Sequence, residues 1–202
     1  MLYSSDEGGN ELTHIYVRNL DGTTRDLTPG AKLKASFSGW SNDGKSFFLA
    51  TNERDEAYFD LYEMASDGYA RTLIYRNTGG FDLGPLSRDT RYLALSKSRR
   101  STDSDIYLHD LRTHATRNIT PHSGQVSNFP AEFSPDGSKL LFVSDSGGEF
   151  ASLRAHDIGA GTSTRVYAQP WDITGAESSK GGQELGGAGE EEYHCAAAER
   201  RA

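Results

Sequence analysis

The sequence has very little cysteine, which excludes two kinds of site. Cys195 is the single cysteine among 202 residues. An intrachain disulfide and a multi-cysteine metal site are therefore both excluded. The compartment stays open, because many exported proteins also lack disulfides.

Long apolar runs and an excess of positive charge are missing as well. No apolar run approaches the roughly 18 residues of a membrane span, so we expect no membrane contact. The net charge of −8 argues against nucleic acid as a partner. Residues 1–10 lack the layout of a signal peptide and instead resemble a strand followed by a turn. A start of this kind predicts that part of the structural unit lies upstream.

A complete nucleophile motif of the form G-x-S-x-G is also missing from the sequence. Gly39-Trp40-Ser41 resembles the first half of such a nucleophile elbow, with Ser41 as the attacking group. An elbow needs a small residue two positions after the serine, because its sharp turn is crowded. Asp43 occupies that position, and a strand pattern follows where a helix is required. We therefore expect Ser41 to have no catalytic role.

The stretch around Ser41 recurs along the chain instead. Aligned copies occupy residues 40–50, 86–96 and 133–143. Their serines, Ser41, Ser87 and Ser134, are 46 and then 47 residues apart. An apolar third-strand segment recurs at a similar spacing, starting at residues 15, 61, 106 and 153. A period near 46 residues indicates propeller blades, which repeat about every 40–50 residues.

Each repeat predicts four strands, with the S-x-D-G turn between the first and second. The third strand is apolar on both faces, which is typical of sheets stacked face to face. The predicted fold class is all-β, a β-propeller of four-stranded blades that is incomplete, with about four blades. Strand content should lie well above the base rate of about 20–25%.

Four stretches of the repeat resemble a known family when they are taken in order. They are YSSDEGGNELTHIYVRNLDGTTRDLTPG, GWSNDGKSFFLATNERDEAYFDLYEM, SDIYLHDLRTHATRNITPHSG and FSPDGSKLLFVSDSGGEF. This succession is similar to propellers of TolB-like proteins and of the prolyl oligopeptidase family of serine peptidases. Within that family, the order of these segments most resembles the dipeptidyl aminopeptidase and acylaminoacyl-peptidase branch. The resemblance covers residues 1–177.

In that peptidase family the propeller precedes an α/β-hydrolase domain that holds the Ser, Asp and His triad. The resemblance implies a non-catalytic propeller that limits peptide access, separated from its hydrolase domain. It carries over no catalytic, cofactor-binding or metal-binding residue, and no cofactor is implied. One alternative is a stand-alone TolB-like propeller that acts as a protein-binding scaffold. Another is a propeller enzyme, such as a lyase or glycosidase, with its site in the central channel.

The predicted domain organisation is blades over residues 1–177 and an atypical low-complexity tail over 178–202. Ser178 lies at the repeat position of Ser41, Ser87 and Ser134, but Glu177 lies where an apolar residue is expected. The following residues are rich in Gly, Glu and Ala and show no strand periodicity. We expect a frameshift or an altered gene end here, with poorly packed residues. The alternative is a genuine flexible tail with a short helix in 190–202.

The histidines and acidic residues do not form a recognisable site. His109 and His156 occupy nearly equivalent repeat positions, which predicts an outer face of the third strand for both. His194 and Cys195 are adjacent, and neighbouring residues rarely ligate one zinc without further ligands. Most carboxylates are expected in turns, where Asp bonds its own backbone. These residues are Asp6, Glu7, Asp43, Asp60, Asp136 and Asp145.

Three further features carry weaker expectations. The acidic loops at 6–9 and 145–149 could suggest calcium, but they lack EF-hand spacing and are equivalent turns in two blades. The sequon Asn118-Ile119-Thr120 matters only in a secretory setting. The charged loops within 52–64 and 98–110 should lie on one rim of the ring, where a domain partner could dock. Arg99 and Arg100 make the second loop the better candidate.

Overall fold

The computed structural model describes residues 1–178, 184–189 and 194–197, with side chains as far as Ala176. Every regular element in these residues is a β-strand. The chain divides into two compact units, Met1–Leu83 and a second that starts at Gly84.

The first unit contains two antiparallel sheets in which sequential strands are neighbours. Sheet 1 consists of β1 (Leu2–Ser5), β2 (His14–Arg18) and β3 (Thr24–Asp26). Sheet 2 consists of β4 (Ala35–Trp40), β5 (Ser46–Asp55), β6 (Tyr58–Ala65) and β7 (Arg71–Tyr75). The register shifts between Phe37 and Gly39, where β4 has a bulge. Gly39 has a φ of 138°, a conformation that favours glycine over any residue with a side chain.

The second unit contains three further antiparallel meanders. Sheet 3 consists of β8 (Asp82–Leu86), β9 (Tyr92–Arg100), β10 (Asp103–Asp110) and β11 (Ala115–Asn118). Sheet 4 consists of β12 (Asn128–Phe133), β13 (Lys139–Ser144), β14 (Ser152–Asp157) and β15 (Thr162–Tyr167). Sheet 5 consists of β16 (Ile173–Ser178), β17 (Glu184–Gly189) and β18 (His194–Ala197).

Apolar side chains fill the space between successive sheets within each unit. In the first unit, Ile15 and Val17 of β2 pack with Phe47 and Leu49 of β5. In the second unit, one cluster joins sheets 3 and 4 and another joins sheet 4 to Ile173 of sheet 5. Because sheet 4 is covered on both faces, β13 is apolar at consecutive positions, Leu140 to Val143, all of them buried.

The predicted fold class is confirmed: the described residues form successive antiparallel meanders of four strands, with a partial one at each end. The predicted domain boundary at residue 177 falls within β16. The backbone of β17 and β18 continues sheet 5 beyond that boundary, and His194–Ala197 is a strand where a helix was one alternative. The remainder of the predicted tail lies outside the described residues.

Candidate functional site

The three repeat serines hold tight turns between the first and second strands of their sheets. The Ser41 hydroxyl lies 2.8 Å from Asp43 Oδ1 and accepts a hydrogen bond from the Ser46 amide at 3.0 Å. Ser134 lies 2.6 Å from Asp136 Oδ1 in the same arrangement. That hydroxyl and the hydrogen bonds from Ser138 lower the pKa of Asp136 to about 2. The serine therefore serves as a turn residue, as the repeat predicts.

Replacing Ser41 with alanine should lower stability by about 1 kcal/mol, because the lost hydroxyl is partly exposed and water can replace its bonds. It should leave reactivity towards a fluorophosphonate probe unchanged at background. Chemical denaturation and probe labelling of the purified chain test both points, with Ser134→Ala as the matched control. Specific labelling of Ser41 that disappears in the alanine variant would contradict the structural role.

An arginine paired with a buried aspartate, together with a third partner, recurs in sheets 2 and 3, and we call this arrangement the clasp. In the first unit, Arg54 donates to Asp60 from Nε at 2.6 Å and from a terminal nitrogen at 2.9 Å. The backbone amide of Asn77 donates to the same carboxylate at 2.7 Å. Asp60 is 0% exposed. These contacts satisfy a carboxylate that would otherwise be very costly to bury.

The equivalent clasp of the second unit replaces asparagine with histidine. Its members, Arg99, Asp105 and His122, each lie 45 residues after their counterparts. Arg99 pairs with Asp105, and His122 Nδ1 lies 3.3 Å from the other oxygen of that carboxylate. Arg99 belonged to the predicted docking pair; it pairs with Asp105 of its own sheet, and its side chain is 50% exposed. Docking through this loop stays a prediction.

Both ring nitrogens of His122 face groups that can only accept hydrogen bonds. Nδ1 lies 2.8 Å from the Thr120 carbonyl, and Nε2 lies 3.0 Å from Asp103 Oδ1. Both nitrogens are thus placed to carry hydrogen, which is the imidazolium form. The hydrogen bond to Thr120, followed by that to Asp103, raises the pKa of His122 above its ordinary value.

This raised pKa predicts a pH-dependent stability of the second unit. The contribution of His122 should be complete below its unfolded pKa of about 6.5 and lost as pH rises through the folded pKa. His122→Asn, which installs the residue found at Asn77, should remove that slope in denaturation curves measured from pH 6 to 8. His114→Asn is the control, because His114 is exposed and asparagine tolerates its φ of 58°. An unchanged slope in His122→Asn would contradict the assignment.

A cleft in the described first unit coincides with the predicted rim loop at 52–64. It has a volume of about 580 Å³, and its lining includes Lys32, Glu53, Glu56 and Arg71. Arg71 pairs with Glu53 at 2.5 Å, and Lys32 pairs with Glu56 at 3.1 Å. Since its cations and anions neutralise one another, the cleft has no strong preference for a charged ligand.

A smaller apolar groove beside β1 was not predicted from the sequence. It has a volume of about 220 Å³ and is lined by Leu2, Tyr3, Ser4, Ile15, Phe37 and Trp40. Phe37 and Trp40 are 42% and 54% exposed, with ring centroids 5.9 Å apart. The sequence does show two aromatic residues on the first strand of a repeat. Whether they are exposed depends on which strands lie beside β4, and the sequence of that strand does not reveal this.

The remaining candidate residues have structural partners. His109 and His156 are buried, at 5% and 3% exposure, so the prediction of an outer face is wrong. Their Nδ1 atoms lie within hydrogen-bond distance of Thr116 and Ser163, and burial lowers the pKa of both. Each lies on a sheet face covered by a neighbour, which a single strand's sequence does not reveal.

The acidic loops and the sequon are engaged in local contacts. Asp6 accepts a hydrogen bond from the Glu11 amide at 3.1 Å, and Asp145 accepts one from the Ser127 amide at 2.9 Å. Asn118 accepts a hydrogen bond from the Thr120 amide. Within the described part of the chain, no group of three or more His, Cys, Asp or Glu is placed to hold a metal ion. The side chains of His194 and Cys195 lie outside the described residues.

Comparison with known proteins rests on structure, since no family model and no curated protein matches the sequence. TolB from Acinetobacter baumannii superposes with a TM-score of 0.67 at 18% identity, over 92% of this chain and 46% of that one. The chain has a β-propeller fold. A puromycin-hydrolyzing peptidase from Mycobacterium tuberculosis gives 0.65 at 15% identity, over 96% of this chain and 36% of that one.

A putative TolB from Agrobacterium tumefaciens is 27% identical, with a TM-score of 0.55 over 81% of this chain and 60% of that one. The chain therefore spans less than two thirds of each of these three proteins. In the part of the chain that the structure describes, no helix is long and apolar enough to cross a membrane.

Proposed function

We propose that this chain is the non-catalytic propeller portion of a prolyl oligopeptidase-like serine peptidase. In that role it restricts peptide access to a hydrolase domain outside the 202 residues. The observation that carries the proposal is the S-x-D repeat on a propeller fold shared with a solved peptidase over 96% of the chain. Ser41, the serine that resembles a nucleophile, holds a turn, which supports a non-catalytic role for this chain.

The test is to recover the surrounding gene in all reading frames and to express the extended protein. We expect it to encode further blades and a domain with a G-x-S-x-G motif. The extended protein should label with a fluorophosphonate and cleave aminoacyl-4-nitroanilides, whereas the 202-residue chain should do neither, because it lacks nucleophile, base and oxyanion hole. Replacing the serine of the new motif provides the matched control.

Access control has a separate readout in the extended protein. A short peptide should be cleaved much faster than the same sequence presented in a loop of a folded protein. A gene that ends after a closed ring of blades, with no hydrolase domain in any frame, would overturn the proposal. Equal cleavage of both substrates would overturn the gating role alone.

A stand-alone TolB-like scaffold is the second candidate, and one observation favours it. Phe37 and Trp40 expose aromatic surface beside an apolar groove, and aromatic residues are enriched at the centres of protein interfaces. The gene structure separates the candidates, since a scaffold requires a complete ring of blades and no hydrolase domain. In that case Trp40→Ser should abolish partner binding without unfolding the chain.

A further inference from the structure

Sheet 4 departs from the clasp that sheets 2 and 3 share. The clasp carboxylates, Asp60 and Asp105, accept hydrogen bonds from an arginine near the end of the preceding strand. The position equivalent to Asp105 in sheet 4 is Ser152, and the position equivalent to Arg99 is Ser146. Both charged members of the clasp are therefore replaced by serine in this sheet.

An arginine nevertheless lies at this place. Arg154 stands where other third strands carry tyrosine, as at Tyr62 and Tyr107. Its guanidinium donates to the Ser146 carbonyl at 2.5 Å, so it reaches the position of the missing clasp arginine. The Nε atom is buried and has no hydrogen-bond partner among the described residues. A buried N–H without an acceptor is costly, so the site favours an added acceptor.

Charge in this part of sheet 4 is also unbalanced. Arg154 lies directly opposite Arg165 in the register of β14 and β15, and like charges in that position repel. Within the described residues, no carboxylate lies at ion-pair distance from either arginine. An anion beside Arg154 would relieve this repulsion.

A pocket of about 170 Å³ provides the space for such an anion. Its lining includes Arg154, His122, Asn128, Ser144 and Ser146, and it contains no aspartate or glutamate. The volume exceeds the roughly 30 Å³ that one water occupies, so a small polar group fits. The Ser144 hydroxyl already accepts a hydrogen bond from the Ser146 amide, which leaves its own hydrogen free to donate.

We propose that this pocket binds a carboxylate group supplied by a ligand, such as the C-terminus or an acidic side chain of a peptide. The ligand carboxylate gives Arg154 the kind of partner that Asp60 and Asp105 give the arginines of the two complete clasps. Arginine and carboxylate match in geometry as well as charge, which favours this anion over a spherical one. The inference is independent of the proposed peptidase role, because it rests on the pocket beside Arg154 and not on the comparison with peptidases.

The direct test follows the Nε–H resonance of Arg154 by NMR during titration with acetate at constant ionic strength, with chloride as the competing anion. Two variants are chosen from residues that the repeat itself uses. Arg154→Tyr installs the residue of the equivalent strands, and Ser152→Asp installs the missing clasp carboxylate. Arg112→Gln removes an exposed arginine of the same unit and serves as the control.

Acetate should shift the Arg154 resonance with a dissociation constant on the order of millimolar, and chloride should not. Binding should weaken at least about tenfold in Ser152→Asp, which keeps the arginine and places a carboxylate two residues before it on the same face of β14, and should persist in Arg112→Gln. Binding followed on neighbouring amides should also be lost in Arg154→Tyr. A short peptide with a free C-terminus should bind where its amidated form does not, and an aspartate-containing amidated peptide tests the side-chain source.

Three results would overturn the proposal. They are an equal response to acetate and chloride, unchanged acetate binding in Ser152→Asp, and no acetate response in the wild-type chain. If Arg154→Tyr fails to fold, the acetate titration of Ser152→Asp still tests the proposal. We expect that variant to fold, with higher stability than the wild-type chain in denaturation curves.

Discussion

Replacing Asp60 with alanine should destabilise the first unit by about 3 kcal/mol or more. The carboxylate is fully buried and accepts hydrogen bonds from Arg54 and from the Asn77 amide. Its removal leaves a largely buried guanidinium with only the more distant Asp55 carboxylate, at 3.7 Å, and a backbone N–H without its acceptor. The desolvation cost of both groups is then less well compensated.

Denaturant unfolding followed by tyrosine and tryptophan fluorescence measures this effect. Glu56→Gln is the matched control, since it breaks the Lys32–Glu56 pair, whose side chains are 76% and 72% exposed. Exposed pairs contribute little, so that variant should lose less than about 1 kcal/mol. Similar losses in the two variants would show that the clasp does not stabilise the first unit.

Replacing Phe142 with alanine should destabilise the second unit by about 3–5 kcal/mol. Phe142 is 2% exposed and packs in the cluster that joins sheets 3 and 4, with Ile106 and Leu140 among its members. Truncation removes buried apolar area and leaves a cavity that surrounding strands fill only in part. The effect should appear as a lower denaturation midpoint.

Phe129 offers a matched control on the neighbouring strand. It is 61% exposed, so Phe129→Ala should change stability by no more than about 0.5 kcal/mol. Unfolding in urea, with both variants measured at the same pH, compares them directly. If Phe129→Ala proved as destabilising as Phe142→Ala, burial of Phe142 in the cluster between sheets 3 and 4 would not explain the loss of stability.

Much of the fold could be predicted from the sequence because the repeat is local. The S-x-D turn is completed within five residues, as the contacts of Ser41 with Asp43 and Ser46 show. A turn of that kind, followed by an apolar strand and repeated at a fixed period, predicts meanders of four strands. The structure confirms those meanders, which were predicted from residues close together along the chain.

The candidate sites could not be predicted in the same way. Arg99 was predicted to lie on a charged rim loop where a partner could dock, and that stays a prediction; its pairing with Asp105 across a hairpin could not be predicted. His109 and His156 were predicted to lie on an outer face because they occupy nearly equivalent repeat positions, yet both are buried. In each case the outcome depended on a neighbouring strand or sheet that the local sequence does not specify.

The sequence by itself determined the strand order, the turn chemistry and the period, since these depend on residues close together along the chain. The tertiary structure alone decided which polar residues are buried and which of them meet. Stacking covers both faces of a sheet, so polar side chains there must find partners from other strands. Asp60 finds Arg54 and Asn77, whereas the Nε of Arg154 finds no partner among the described residues. That difference between sheets 2 and 4 became visible only once the sheets were assembled.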